Sequence, residues 1–180
     1  MDKDQAIQRL IDQAEIRRVL HAYCRGMDRS DADLMSSIYH DGAMDFHGSG
    51  TRPGKDFGRE SVERDRSGAK FNTMHFMGES TYVWAGDDAV NTESYVRATH
   101  IIKLADDDWK LELFFGRYLD RFERRDETWL IAQRVTMRDF MGVIPIEPMM
   151  GERPFQGIRS RDDVSYQHLA LEMLTLPNWP

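Results

Sequence analysis

The sequence predicts an α+β fold, with a curved antiparallel sheet closing into a cone or half-barrel and three N-terminal helices packed on one of its faces. Three observations carry that prediction. Apolar residues recur at helical spacing through the first forty residues. The apolar pattern changes to alternation after about residue 70. Acidic or glycine-bearing turns at Gly86-Asp87-Asp88, Asp106-Asp107-Asp108 and Asp126-Glu127 then divide the remainder into long strands joined as hairpins.

The elements follow in order. Ile7, Leu10, Ile11 and Ala14, continued by Ile16, Val19, Leu20, Tyr23, Cys24 and Met27, predict a first helix from about Asp4 to Gly26, with Gly26 weakening its final turn. A second helix is expected over Ala32 to His40, with Leu34, Met35 and Ile38 inward. Asp41-Gly42 reads as a turn, and Ala43 to His47 as a short strand. Gly48 to Gly58 reads as a loop and Arg59 to Ala69 as a mostly polar third helix. Strands are expected over Met77 to Trp84, Val90 to Leu104, Trp109 to Arg124 and Trp129 to Met141, as a meander with the helices on one face. Prolines between Pro145 and Pro154 end regular structure, and Asp162 to Leu174 reads as a closing helix. The division expected is a cone domain over residues 1–145 and a tail over 146–180 that covers the pocket mouth or a neighbouring subunit.

Composition narrows the function. The chain has 180 residues, 41% hydrophobic and 31% charged, which suits one domain with a full core. A net charge of −7 argues against a nucleic-acid partner, and the arginines at 121, 124 and 125 are interleaved with acids. No run suits a membrane helix and the first residues are polar, so a soluble cytoplasmic protein is expected. The single cysteine, Cys24, excludes an internal disulfide and reads as a buried, inert thiol. Phosphate-binding, serine-hydrolase and zincin motifs are absent.

Several groups could carry chemistry. Asp28 falls at the end of the first helix, where the dipole disfavours a carboxylate; it either caps the next helix or is a proton acceptor with a raised pKa. His75, between two methionines and a phenylalanine, is either a satisfied core histidine or a neutral base. His100 shares a strand face with small and apolar residues, whereas Arg97 takes the other. Arg117 shares a face with Leu119 and Arg121, and alternation does not decide which face meets the pocket. Asp28, His75 and His100 would also make a two-histidine, one-carboxylate metal set, but the short spacing usual in such sites is missing, so no metal is assigned.

The residues from Ala14 to Asp28, the strand around His75, and Gly116 to Asp126 with Trp129-Leu130-Ile131 together resemble the SnoaL-like, nuclear transport factor 2-like superfamily. Glu127 departs from it, standing where relatives usually carry glycine. Within that superfamily the spacing is similar to that of scytalone dehydratase, bile-acid dehydratase and hexachlorocyclohexane dehydrochlorinase. The resemblance implies a catalytic Asp28–His75 pair, with Tyr23 as a pocket tyrosine and His100 as a second pocket histidine. Arg97, Arg117, Phe46 and Met77 are the candidates for holding substrate. It further implies a cofactor-independent lyase, either a dehydratase or a deformylating carbon–carbon lyase, acting on an aromatic or polycyclic small molecule. A homo-oligomer, dimer or trimer, is expected. The alternatives on the same scaffold are a non-catalytic assembly module, such as the small subunit of a ring-hydroxylating dioxygenase, and a ketosteroid isomerase or polyketide cyclase.

Overall fold

A computed structural model describes residues 2–48, 50–67, 70–105, 108–147 and 157–169. Helix α1 spans Lys3–Asp28, opened by a capping box in which Asp2 and Gln5 satisfy each other's backbone N–H groups. Its buried stripe of Ile16, Val19, Leu20, Tyr23 and Met27 follows the spacing read from the sequence. Helix α2 covers Ala32–Ser37 and α3 covers Gly54–Ser67. The third helix therefore begins inside the segment expected to be a loop. The same segment also contains a short strand, β2 (Gly50–Pro53).

The sheet has six strands in the order β2-β1-β6-β5-β4-β3, adding β1 (Tyr39–His47), β3 (Lys70–Trp84), β4 (Ala89–Ala105), β5 (Asp108–Arg125) and β6 (Thr128–Pro145). Strands β3 to β6 form the expected antiparallel meander. The sheet as a whole is mixed, however, because β1 pairs parallel with β6. A parallel pair needs a long crossover, and here α3 and the β3–β5 meander supply it. Alternation within single strands cannot reveal such a pairing between strands remote in sequence.

The helices cover one face of the curved, unclosed sheet. Val90, Val96, Tyr118, Phe122, Trp129 and Ile131 meet Ile16, Tyr23, Leu34, Met35 and Ile38 there in one core. The opposite, convex face exposes Met74, Phe76, Val83 and Tyr95, each more than half accessible. Helix α4 (Val164–His168) is the described part of the expected closing helix, whose predicted end at Leu174 lies outside the described residues. No helix among the described residues is long and apolar enough to cross a membrane.

The segment from residue 157 to 169 lies against the end of α1. Arg159 donates to the carbonyls of Met27 and Lys70. Arg161 and the Tyr166 hydroxyl both bond the carboxylate of Asp31, and Arg29 pairs with Asp163. This segment thus ties the end of α1 to the start of β3.

Candidate active site

Strand β3 is an edge, so the N–H groups on its outer side have no strand to bond. The last turn of α1 brings Asp28 to that edge. One carboxylate oxygen accepts from the His75 backbone N–H at 3.0 Å. The other accepts from the Thr73 hydroxyl at 3.1 Å and lies 2.7 Å from Nδ1 of the His75 ring. Together these donors compensate the unfavourable position of a carboxylate at a helix C-terminus. Asp28 is not the cap of the following helix. That task falls to Asp31, whose side chain accepts from the Leu34 N–H.

An ionised Asp28 accepts only, so the proton on Nδ1 of His75 is fixed and Nε2 is left as the basic nitrogen. The His75 side chain is 5% exposed and that of Asp28 13%. The Tyr23 ring stands edge-on to the imidazole, with centroids 5.7 Å apart. Its hydroxyl accepts from Tyr118 at 3.2 Å, which leaves its own proton to be donated. Burial pushes the phenol far above its ordinary pKa, so it stays neutral. Beneath both tyrosines lies the Arg134 guanidinium, 4.4 Å from the Tyr23 ring and 4.1 Å from that of Tyr118. Arg134 is itself held by two 2.7 Å bonds to the buried Asp120.

His100 lies beside His75, with ring centroids 5.8 Å apart. It has a carboxylate of its own: Nδ1 is 2.6 Å from Oε2 of Glu112, the residue opposite it in the β4–β5 register. Glu112 is the residue that reading by strand faces missed. The pairing comes from the β4–β5 register, which shifts between Lys103 and Ala105 and so could not be counted from the predicted turn.

The remaining candidates divide by face. Met77 shares the inner face with His75 and packs on the core. Arg97 lies on the convex face, its guanidinium 5.6 Å from the Phe76 ring. Arg117 is there too, bound by Asp139 and Glu93. Phe46 is 38% exposed and pairs with Val135, on the side of β1 opposite the buried Asp45. These three are therefore separated from His75 by the sheet. Cys24 is half-buried, and its thiol is pushed up to about 12 by burial and by Asp28, so it is not a nucleophile at neutral pH. Among the described residues no group of three His, Cys, Asp or Glu side chains is placed to hold a metal ion.

Residues 8–135 match the SnoaL-like domain. The chain belongs to the SnoaL-like family. No curated protein matches it at a significant level. Several solved structures share the SnoaL-like architecture. A type 3 hexachlorocyclohexane dehydrochlorinase from Novosphingobium barchaimii LL02 superposes with a TM-score of 0.67 at 19% identity, over 83% of this chain and 99% of the other. A scytalone dehydratase-like protein from Novosphingobium aromaticivorans gives 0.68 at 15%, over 82% and 99%. The beta subunit of an aromatic-ring-hydroxylating dioxygenase-like protein from that organism gives 0.60 at 16%, over 73% and 92%. Likeness at this identity is a likeness of fold, and the fold hosts both lyases and subunits without that chemistry.

Proposed function

We propose that this SnoaL-like protein is a lyase that works with its own side chains and no cofactor, opening its reaction by proton abstraction on an aromatic or polycyclic small molecule. The observation that carries the reading is the 2.7 Å contact between His75 Nδ1 and Asp28, made with a carboxylate already anchored by Thr73 and the His75 N–H. Asp28 orients the ring and stabilises the imidazolium, while Nε2 takes the proton. Tyr23, neutral and beside the ring, is suited to hold developing negative charge on a substrate oxygen. Abstraction from carbon with loss of a neighbouring hydroxyl is dehydration. Abstraction of the O–H proton of a hydroxymethyl group turns its C–O into the carbonyl of released formaldehyde as the carbon–carbon bond breaks, and the electron pair left on the remaining carbon takes the proton back from the His75 imidazolium. Both need the same base.

The test is turnover by the purified protein on a panel of hydroxylated aromatic ketones and diaryl alcohols, followed by product absorbance and formaldehyde release. His75→Ala and Asp28→Asn should each lower kcat by about 10²–10⁴-fold with the fold intact. Full activity in His75→Ala would sink the base assignment. The second reading, a non-catalytic assembly module, draws on the dioxygenase-type beta subunit neighbour. It predicts a stable complex with a larger subunit and no turnover.

A further inference from the structure

The assignment of His75 as base leaves a second histidine–carboxylate pair unexplained. His100 and Glu112 are largely buried, with side chains 13% and 18% exposed, yet neither bonds Asp28 or His75. A carboxylate so far from bulk water is costly unless its partner and geometry compensate. The charged and titratable groups around His100 are Lys70 and His75 from β3, Glu112 from β5 and, behind His75, Asp28 from α1. Burial, then the Lys70 ammonium and the neighbouring His75, push His100 down, against the hydrogen bond and charge of Glu112. The ring is therefore neutral near pH 7. With its one proton on Nδ1, bonded to Glu112, Nε2 on the other side of the ring keeps its lone pair.

We propose that Glu112 is a positioning residue, which holds His100 in the tautomer whose Nε2 accepts a hydrogen bond from a substrate hydroxyl while His75 serves as base. The geometry is two parallel arrangements on one face of the sheet: Asp28 behind His75 and Glu112 behind His100, with the two rings adjacent. A single acceptor nitrogen would suffice for a substrate that only loses a proton from carbon. A second one, oriented by its own buried carboxylate, fits a substrate that also presents an O–H donor. The substrate class inferred is thus an aromatic alcohol or phenol rather than a halide. This assignment rests on the lyase reading for its role in turnover, but its physical content can be measured without any turnover.

The experiment is nitrogen-15 NMR of the histidine rings in the full chain, titrated in pH. In the wild type, His100 should show a protonated Nδ1 and an unprotonated Nε2 throughout the neutral range. Glu112→Gln keeps an acceptor but removes the charge. It should retain that tautomer and lower the His100 titration midpoint by about one unit. Glu112→Leu should mix the two tautomers while the His75 signals keep their positions, which reports that the fold is intact. A His100 ring protonated on Nε2, or a titration identical in wild type and Glu112→Gln, would overturn the assignment. For the substrate class the probes are 2-naphthol and 2-methoxynaphthalene, which share a shape but differ in the hydroxyl proton. Only 2-naphthol should move His100 Nε2. Equal response to both, or to neither, overturns the hydroxyl assignment and leaves the tautomer result standing. If the protein proves to have no turnover on any alcohol while the tautomer result holds, the lyase reading fails and the role of Glu112 in orienting His100 does not.

Discussion

Thr73 shows how much of the site is held by residues that touch no substrate. Its hydroxyl is one of three donors on Asp28, and it stands two residues before His75 on the same strand face. Replacing it with the near-isosteric valine removes one hydrogen bond to a charged group, worth about 1.5–3 kcal/mol, while leaving the other two. Part of that loss should appear as freedom of the Asp28 carboxylate and hence of the His75 ring. Thr73→Val is therefore expected to lower kcat by about tenfold with little change in KM, checked by steady-state kinetics on whichever substrate the panel finds. An unchanged kcat would place the orientation of Asp28 with the backbone N–H alone. At this scale the sequence was informative where one residue broke a local rule. Asp28 is a carboxylate at the wrong end of a helix, and His75 is a histidine among methionines. It was uninformative for Arg97, Arg117 and Phe46, because a half-barrel has two faces and alternation does not say which is concave. Glu112 was hidden for a different reason: a glutamate in a strand between Leu111 and Leu113 breaks no rule until its cross-strand neighbour is known.

At the scale of elements, turns and caps decide how firmly these residues are presented. The β5–β6 turn puts two non-glycine residues in the left-handed region, Asp126 at φ 49° and Glu127 at φ 60°. Left-handed backbone costs about 1–2 kcal/mol for a residue with a Cβ, against an entropic cost of about 0.5–1 kcal/mol for introducing glycine. Glu127→Gly is therefore expected to stabilise the protein by about 0.5–1 kcal/mol, seen as a higher denaturant midpoint with an unchanged slope. The segment from residue 157 to 169 depends instead on charge. Burial alone would raise the Asp31 carboxyl, but bonds from Arg161, the Leu34 N–H and the Tyr166 hydroxyl bring it below its ordinary value. Asp163 is likewise held down to about 2, with Ser165, the Ile158 N–H and Arg29 outweighing burial. Carboxyls depressed in the folded state contribute stability above their unfolded pKa and lose it as pH falls through the folded value. The segment should thus stay docked at neutral pH and release between about pH 4 and about pH 2. Hydrogen exchange at the Ile158 amide, which donates to Asp163, reads this directly. Protection persisting at pH 2 would mean that packing rather than charge holds the segment. The sequence placed a helix here, but not its partners, because the bonds from Arg161 and Tyr166 to Asp31 span about 130 residues.

At the scale of the whole molecule, the Arg134–Asp120 pair joins the sheet to the site. Arg134 is fully buried and doubly bonded to Asp120 on the neighbouring strand, and its guanidinium lies against Tyr23 from α1 and Tyr118 from β5. A hydrophobic core would serve stability as well. Replacing both members of a buried pair by apolar residues is often neutral, whereas removing one leaves an uncompensated charge and costs about 3–5 kcal/mol. What an apolar replacement would not supply is the planar cation that fixes two tyrosine rings, one of them edge-on to His75. The two functions can be separated. Asp120→Ala should destabilise by about 3–5 kcal/mol in denaturant unfolding. The double variant Asp120→Leu with Arg134→Met should recover most of that loss. If the pair exists to hold Tyr23 against the base, the recovered protein should still turn over at least tenfold more slowly than the wild type. It should also show a displaced Tyr23 ring in the NMR contacts to His75. Recovery of stability and activity together would mean that the buried pair serves packing alone, and that the shape of the core is enough to place Tyr23.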